Sequence, residues 1–169
     1  MADARKLAFD PIAEARRQWS AHGWDGAAAG MAVVTSVMRV QQLFMARADA
    51  VLRPFGLTFA RYEVLMLLLF SQRGELPLGK VGERLQVGAA SVTNAIDRLE
   101  ADGLVVRRAN PDDGRGVLAA VTEDGRHLAD RASDALNTEF FSALTLSGSE
   151  EEDLFALLRT LRQRAGDFE

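Results

Sequence analysis

Apolar residues recur along most of this chain at helical spacing, and two short β-branched runs interrupt the pattern once. Asp10-Pro11 opens the first segment, an N-cap acceptor followed by proline at the first helical position. Ile12, Ala15 and Trp19 follow at i, i+3 and i+7, and Gly23 closes it. A second helix is predicted over about residues 27–53. Its stripe is Val34, Val37, Met38, Phe44, Met45, Ala48, Val51 and Leu52, and Pro54 and Gly56 end it. A stripe running through so many turns asks for a long packing partner, such as another subunit. Thr58 can cap a third helix whose residues 64–70 are seven consecutive apolar side chains. That composition predicts a central helix buried on all sides.

Residues 74–77 read as a turn. Leu78, Val81 and Leu85 then keep helical spacing through a short segment that also holds Gly79 and Gly82. Two glycines there make sense if another element approaches closely. After a second turn at residues 86–89, Val92, Ala95, Ile96 and Leu99 form the apolar face of a helix over residues 90–102. Its opposite side presents Ala90, Ser91, Asn94, Asp97 and Arg98, with Thr93 on the flank and Gly103 at the end. Residues 104–108 and 117–121 favour strands, and Asn110-Pro111-Asp112-Asp113-Gly114-Arg115-Gly116 between them is a turn sequence, so the pair reads as a hairpin. Thr122, Glu123 and Asp124 start a long helix to about Leu144. Ser147 and Ser149, followed by four acids, start a last helix through about Ala165. Acids at a helix start complement its dipole, which accounts for that run as a solvated face.

Helix, short helix, turn, helix and hairpin is the order of a winged helix-turn-helix. The fold class is therefore mainly α with a small β-hairpin, a winged helix-turn-helix plus a helical dimerisation region. Residues 1–56 are expected to supply N-terminal helices, an extra helix and one for dimerisation, 57–122 the winged helix-turn-helix DNA-binding region and 123–169 C-terminal dimerisation helices. In such a unit the polar stripe of the second helix enters a major groove about 12 Å wide, and the hairpin tip places an arginine at the backbone or the adjacent minor groove.

Composition narrows the chemistry. The chain has 169 residues and no cysteine, which excludes disulfides, thiolate metal sites and a cysteine nucleophile. Two histidines, His22 and His127, lie far apart in sequence. No Ser/His/Asp set, metal cluster or glycine-rich phosphate loop is visible, so neither an enzyme nor a bound cofactor is expected. No apolar run suits a membrane span and no signal peptide opens the chain, so a cytoplasmic protein is expected. The net charge of −4 is unevenly spread: +2 over residues 1–77, zero over 78–122 and −6 over 123–169. Whole-chain acidity argues against nucleic acid, because Lys and Arg on phosphate dominate such binding. Where the arginines of the neutral middle segment point therefore decides the matter.

The stretch from about Leu57 to Leu128 resembles the MarR-type transcriptional regulators. Leu78 to Leu85 matches the supporting helix, and Ser91-Val92-Thr93-Asn94 through Asp97-Arg98-Leu99-Glu100 the recognition helix. Gly103-Leu104-Val105-Val106-Arg107 enters the wing. Asp113-Gly114-Arg115 and Val121-Thr122-Glu123-Asp124-Gly125 match its tip and return, with Gly114 in place of the family's first wing arginine. The resemblance implies a homodimer reading a pseudo-palindrome in double-stranded DNA, usually a repressor, with a small anionic or aromatic ligand releasing the DNA. Ser91, Thr93, Asn94, Arg98 and Arg115 are the implied DNA contacts.

The extra N-terminal helix resembles the urate-responsive and PecS-type branch. By that likeness Trp19 matches a ligand-site tryptophan, Glu63 an acid on the central helix and Arg107 an arginine where the wing begins. The branch's recognition-helix arginine falls on Ala95, which cannot hold an anion. The implied effectors are purines such as urate or tricarboxylates such as citrate and trans-aconitate. Each residue also has a plainer reading. Trp19 fits a packing role, Glu63 a structural ion pair with Arg107, and Arg115 a turn contact to Asp112 or Asp113. Asp97, which would repel phosphate, is expected to pair with a neighbouring arginine. A DNA-binding regulator or architectural protein without an effector is the alternative.

Overall fold

The computed structural model describes residues 7–111 and 116–169. Helices α1 (Pro11–Ala21), α2 (Asp25–Leu52), α3 (Phe59–Leu69), α4 (Leu78–Leu85) and α5 (Ala89–Ala101) precede the strands β2 (Val105–Ala109) and β3 (Val117–Val121). A short strand β1 (Glu75–Pro77) lies between α3 and α4, and α6 (Glu123–Glu139) and α7 (Gly148–Arg164) complete the chain. The sheet is antiparallel in the order β1-β3-β2, with Leu76 opposite Ala119 and Arg107 opposite Ala119 from the other side.

Local chemistry sets most boundaries. Asp10 accepts from the Ile12 backbone N–H at 2.9 Å ahead of Pro11, and Thr58 accepts from Arg61 N–H to start α3. Ser147 and Glu150 form a reciprocal capping box that starts α7, a firmer role for part of the acidic run than solvation alone. Leu65, Leu68, Ile96, Leu99 and Leu136 have lost all solvent contact, with Val81 and Val105 beside them. The core thus joins α3, α5, α6, α4 and the hairpin. The Tyr62 hydroxyl meets the Ser133 hydroxyl at 2.9 Å, so the one phenol of the core keeps a polar partner on α6.

Four expectations are corrected. Residues 75–77 are a strand, not a turn, because β3 offers a long-range partner that local propensity cannot show; Pro77, lacking an N–H, sits at the end of this edge strand. Phe70 is 81% exposed although its apolar run predicts burial. It caps α3 two residues beyond Leu68, about 200° around the helix from that buried side chain. The sixth helix stops at Glu139 rather than near Leu144, as Phe140 turns inward edge-on to Phe44 at 5.6 Å and Arg47 takes the Glu139 carbonyl at 2.8 Å. Gly82 does face a close neighbour, since a Cβ there would lie 3.1 Å from the Val87 carbonyl oxygen, but Gly79 has open space around it.

Large apolar side chains remain in solvent along two helices. Val33, Val34, Val37, Met38, Leu43 and Phe44 are exposed on α2, and Leu154, Phe155, Leu157 and Leu161 on α7. No helix among the described residues is long and apolar enough to cross a membrane.

The return from the wing is the tightest junction. Thr122 Oγ1 accepts from Gly125 N–H at 3.0 Å and donates to the Gly103 carbonyl at 2.8 Å. A Cβ at Gly125 would collide with the Leu104 carbonyl oxygen and come within 2.9 Å of Val121 Cγ2. Gly125→Ala is therefore expected to cost about 1–3 kcal/mol, the range for forcing atoms into a packed site. Urea unfolding checks this, and an unchanged midpoint would show that the junction has slack.

Candidate nucleic-acid interface

The α5 helix carries the polar face predicted for reading DNA. Val92, Ile96 and Leu99 are buried beneath it, while Ser91, Thr93, Asn94, Asp97 and Arg98 are exposed and Ala95 is half-buried. Its N-cap is Gly88, which offers no side-chain acceptor; the Ser91 N–H donates to the Gly88 carbonyl at 2.9 Å, and the Ala89 and Ala90 N–H groups ahead of it keep their pull on an anion. Ser91, Asn94 and Arg98 line a groove of about 700 Å³ together with Thr58 and Arg61 at the start of α3. Neither Asn94 nor Arg98 makes a side-chain hydrogen bond or ion pair among the described residues. An amide and a guanidinium left free in this way suit adenine and guanine edges, or phosphate for the arginine.

What aims this face is a set of charged contacts at its far end. Arg107, on β2, places Nη2 2.5 Å from Asp97 Oδ1 and directs Nη1 at Glu100 Oε2. The Arg107 backbone N–H also donates to Glu100 Oε1 at 3.0 Å. Burial disfavours the Arg107 charge, but the two carboxylates outweigh it and its pKa is raised. Asp97, the acid that would repel phosphate, thus has the arginine partner expected for it. From the other side Arg61 Nη1 lies 3.3 Å from Asp102 Oδ2 at the C-cap of α5. Asp49 of α2 accepts from the Phe59 N–H at 2.8 Å, tying α2 to the start of α3. Sequence spacing carried no sign of Arg61–Asp102, which joins residues 41 apart, or of Asp49–Phe59, a side-chain-to-backbone bond across the turn between α2 and α3.

The three candidate effector residues are placed apart in their contacts. Trp19 is half-buried, edge-on to Trp24 with ring centroids 5.4 Å apart, where α1 lies along α2. Glu63 is on the exposed side of α3 and makes no hydrogen bond or ion pair among the described residues. Its expected pairing with Arg107 does not form, since Asp97 and Glu100 occupy that guanidinium. Although Glu63 reaches solvent, partial desolvation raises its pKa. Among the described residues no hydrogen bond, ion pair or ring contact joins any two of Trp19, Glu63 and Arg107. Arg115 lies outside the described residues.

Comparison with known proteins agrees with the winged helix-turn-helix fold. A model of the MarR family matches residues 55–116, which run from the start of α3 to the wing. The organic hydroperoxide resistance transcriptional regulator of Bacillus subtilis is 34% identical over 116 residues, covering 64% of this chain and 75% of its own length. A MarR family transcriptional regulator from Streptomyces coelicolor superposes with a TM-score of 0.77 at 48% identity, over 83% of this chain and 98% of that one. A second S. coelicolor regulator of that family, solved in complex with DNA, shares the fold with a TM-score of 0.68. It is 24% identical, over 78% of this chain and 84% of its own.

Glu63 gives the fold a pH signature. A carboxyl whose pKa is raised by the fold resists ionisation, so ionising it costs stability as pH rises through the interval between 4.5 and the raised value. Glu63→Gln, uncharged throughout, is expected to gain stability over the wild type between about pH 4 and about pH 7. Urea midpoints at both pH values measure this, and a pH-independent difference would contradict desolvation of the carboxyl.

Proposed function

Because the chain belongs to the MarR family of DNA-binding transcriptional regulators, we propose that it acts as a homodimeric repressor on a pseudo-palindromic operator, released by a small anionic metabolite. The observation that carries the DNA reading is the exposed face of α5, where Asn94 and Arg98 stand without side-chain partners among the described residues, beside Ser91 and Thr93. In this reading those four residues meet the major groove, and Arg115 at the wing tip reaches the backbone or the adjacent minor groove. No enzymatic step is involved, as members of this family regulate transcription.

The exposed apolar stripes of α2 and α7 support a second copy of the chain as their cover. Apolar area returned to water costs roughly 25 cal/mol per Å², and large aliphatic and aromatic side chains in a row are costly to leave bare. Two copies related by a twofold axis would present two α5 helices to two half-sites.

The effector is the finer part of the proposal. Trp19, Glu63 and Arg107 are its contacts by likeness to the urate-responsive and PecS-type branch, and a purine such as urate or a tricarboxylate such as citrate or trans-aconitate is the ligand class. An anion drawn to Arg107 competes with Asp97 and Glu100, the groups that fasten α5 to β2, so binding would loosen the DNA-reading helix. The same contacts favour the second reading, a DNA-binding regulator or architectural protein without an effector, since Arg107 is already occupied. A response to hydroperoxides is not carried over from the B. subtilis relative through thiol chemistry, because this chain has no cysteine.

Binding to the intergenic DNA upstream of its own gene, against a scrambled duplex and with urate or citrate in separate samples, tests the proposal. Selective binding lost with one ligand supports effector release; selective binding untouched by either favours the second reading; no selectivity overturns the operator reading for that DNA. Asn94→Ala is expected to weaken selective binding by about 1–3 kcal/mol while leaving scrambled DNA nearly unaffected. Leu157→Asp is expected to shift sedimentation equilibrium from dimer towards monomer, and an unchanged mass would place the interface elsewhere.

A further inference from the structure

Ion pairing sorts the cations of the DNA-binding region into two groups. Lys80 is held by Glu83 at 2.7 Å, Arg107 by Asp97 and Glu100, and Arg108 faces Glu75 at 3.9 Å. Three described arginines between α3 and β3 have no hydrogen bond or ion pair among the described residues: Arg98 on the reading face, Arg73 and Arg84. Arg84 merely feels the neighbouring Glu83 charge.

Arg73 and Arg84 share one place. They line an open cleft of about 660 Å³ with Phe70, Ser71, Glu75 and Asn110 among its other walls. Glu75, the acid of this cleft, already has Arg108 against it, so it does not stand bare before an anion. Sheet order fixes where the cleft lies. In the order β1-β3-β2, α5 packs on β2 at one edge, while the cleft follows β1 at the other. Pro77 pairs with Leu118, one residue into β3, so β1 runs towards the turn end of the hairpin, where Asn110 and Pro111 join the cleft wall.

We infer that Arg73 and Arg84 hold the phosphate backbone of the bound DNA on the outer flank of the wing. A duplex with its major groove on α5 and its next minor groove under the hairpin tip carries a backbone strand past the β1 edge. Two uncommitted guanidinium groups there meet phosphates without reading bases. The exposed Phe70 ring adds an apolar wall suited to a deoxyribose face. This helps a chain of net negative charge engage a polyanion: among the described residues Glu75, Glu83, Asp97, Glu100 and Asp102 each face a cation, and the arginines left over flank the wing on both sides. The inference rests on the DNA-binding reading above and extends the footprint beyond α5 and the hairpin tip.

The test is the salt dependence of binding, measured on the full-length protein with the upstream duplex and with scrambled DNA. Each phosphate contact contributes about 0.9 to the slope of log K against log salt. The double variant Arg73→Ala/Arg84→Ala removes two contacts from each protomer of a dimer and is expected to lose about 3.6 from that slope, on both duplexes alike. Arg73→Lys/Arg84→Lys is expected to keep it, and unchanged circular dichroism would show that both variants fold. A slope unchanged in the alanine variant overturns the inference even where the wild type prefers its operator. Weakening confined to the upstream duplex, with the slope intact, also overturns it, because phosphate contacts carry no sequence preference. A wild type that binds neither duplex fails the DNA-binding reading itself, and this inference with it.

Discussion

Everything in the DNA-binding region hangs on the burial of α3. Leu65 and Leu68 are wholly enclosed, and this short helix packs against α2, α4, α5, α6, β1 and β3. An apolar side chain of this kind is worth about 1.5–3 kcal/mol when buried, and truncating one costs more because neighbours cannot close the gap. The position of α5 relative to the hairpin, and of both relative to the long α2, is therefore set by how their side chains fit around α3. Tyr62 and Ser133 add a directional contact within that apolar contact surface, which fixes the rotation of α3 against α6.

On this frame, electrostatics decides what the reading helix shows to the outside. Asp97 and Glu100 lie on the helix meant for a polyanion, and alone they would oppose it. Their capture by Arg107 turns them into fasteners between α5 and β2, while Asp102 does the same with Arg61 at the helix end. These pairs are partly solvated, so their direct contribution to stability is small, about 1 kcal/mol or less each. Their larger consequence is orientation, because Asn94 and Arg98 gain their reach only if α5 does not roll. A net charge summed over residues 78–122 misses this, since it counts paired and unpaired groups alike.

The unsatisfied surface lies elsewhere, on α2 and α7. Their apolar rows belong to parts of the chain outside the compact unit around α3 and α5. Asp49, which caps the start of α3 from α2, is a direct physical link between the two. A change in how α2 sits would be felt at α3, and through Arg61 at α5.

Local chemistry was readable without coordinates. Asp10-Pro11, Thr58, Thr122 and Ser147 start helices because a hydroxyl or carboxylate next to free N–H groups acts over a few residues. The apolar face of α5 and the β-branched runs of the hairpin follow from periods of 3.6 and 2. Those features, in that order, named the winged helix-turn-helix. The candidate effector residues were legible only as a likeness, and their contacts were not: Trp19 meets Trp24, and Arg107 turns to Asp97 and Glu100 instead of Glu63. Tertiary structure alone decided β1, the exposure of Phe70, the early end of α6 and which arginines stay free. β1 and the early end of α6 depend on partners tens of residues away, on β3 and α2, while Phe70 depends on its angle around α3 and the free arginines on which carboxylates the fold turns towards them. Such positions in space are what a one-dimensional pattern does not contain.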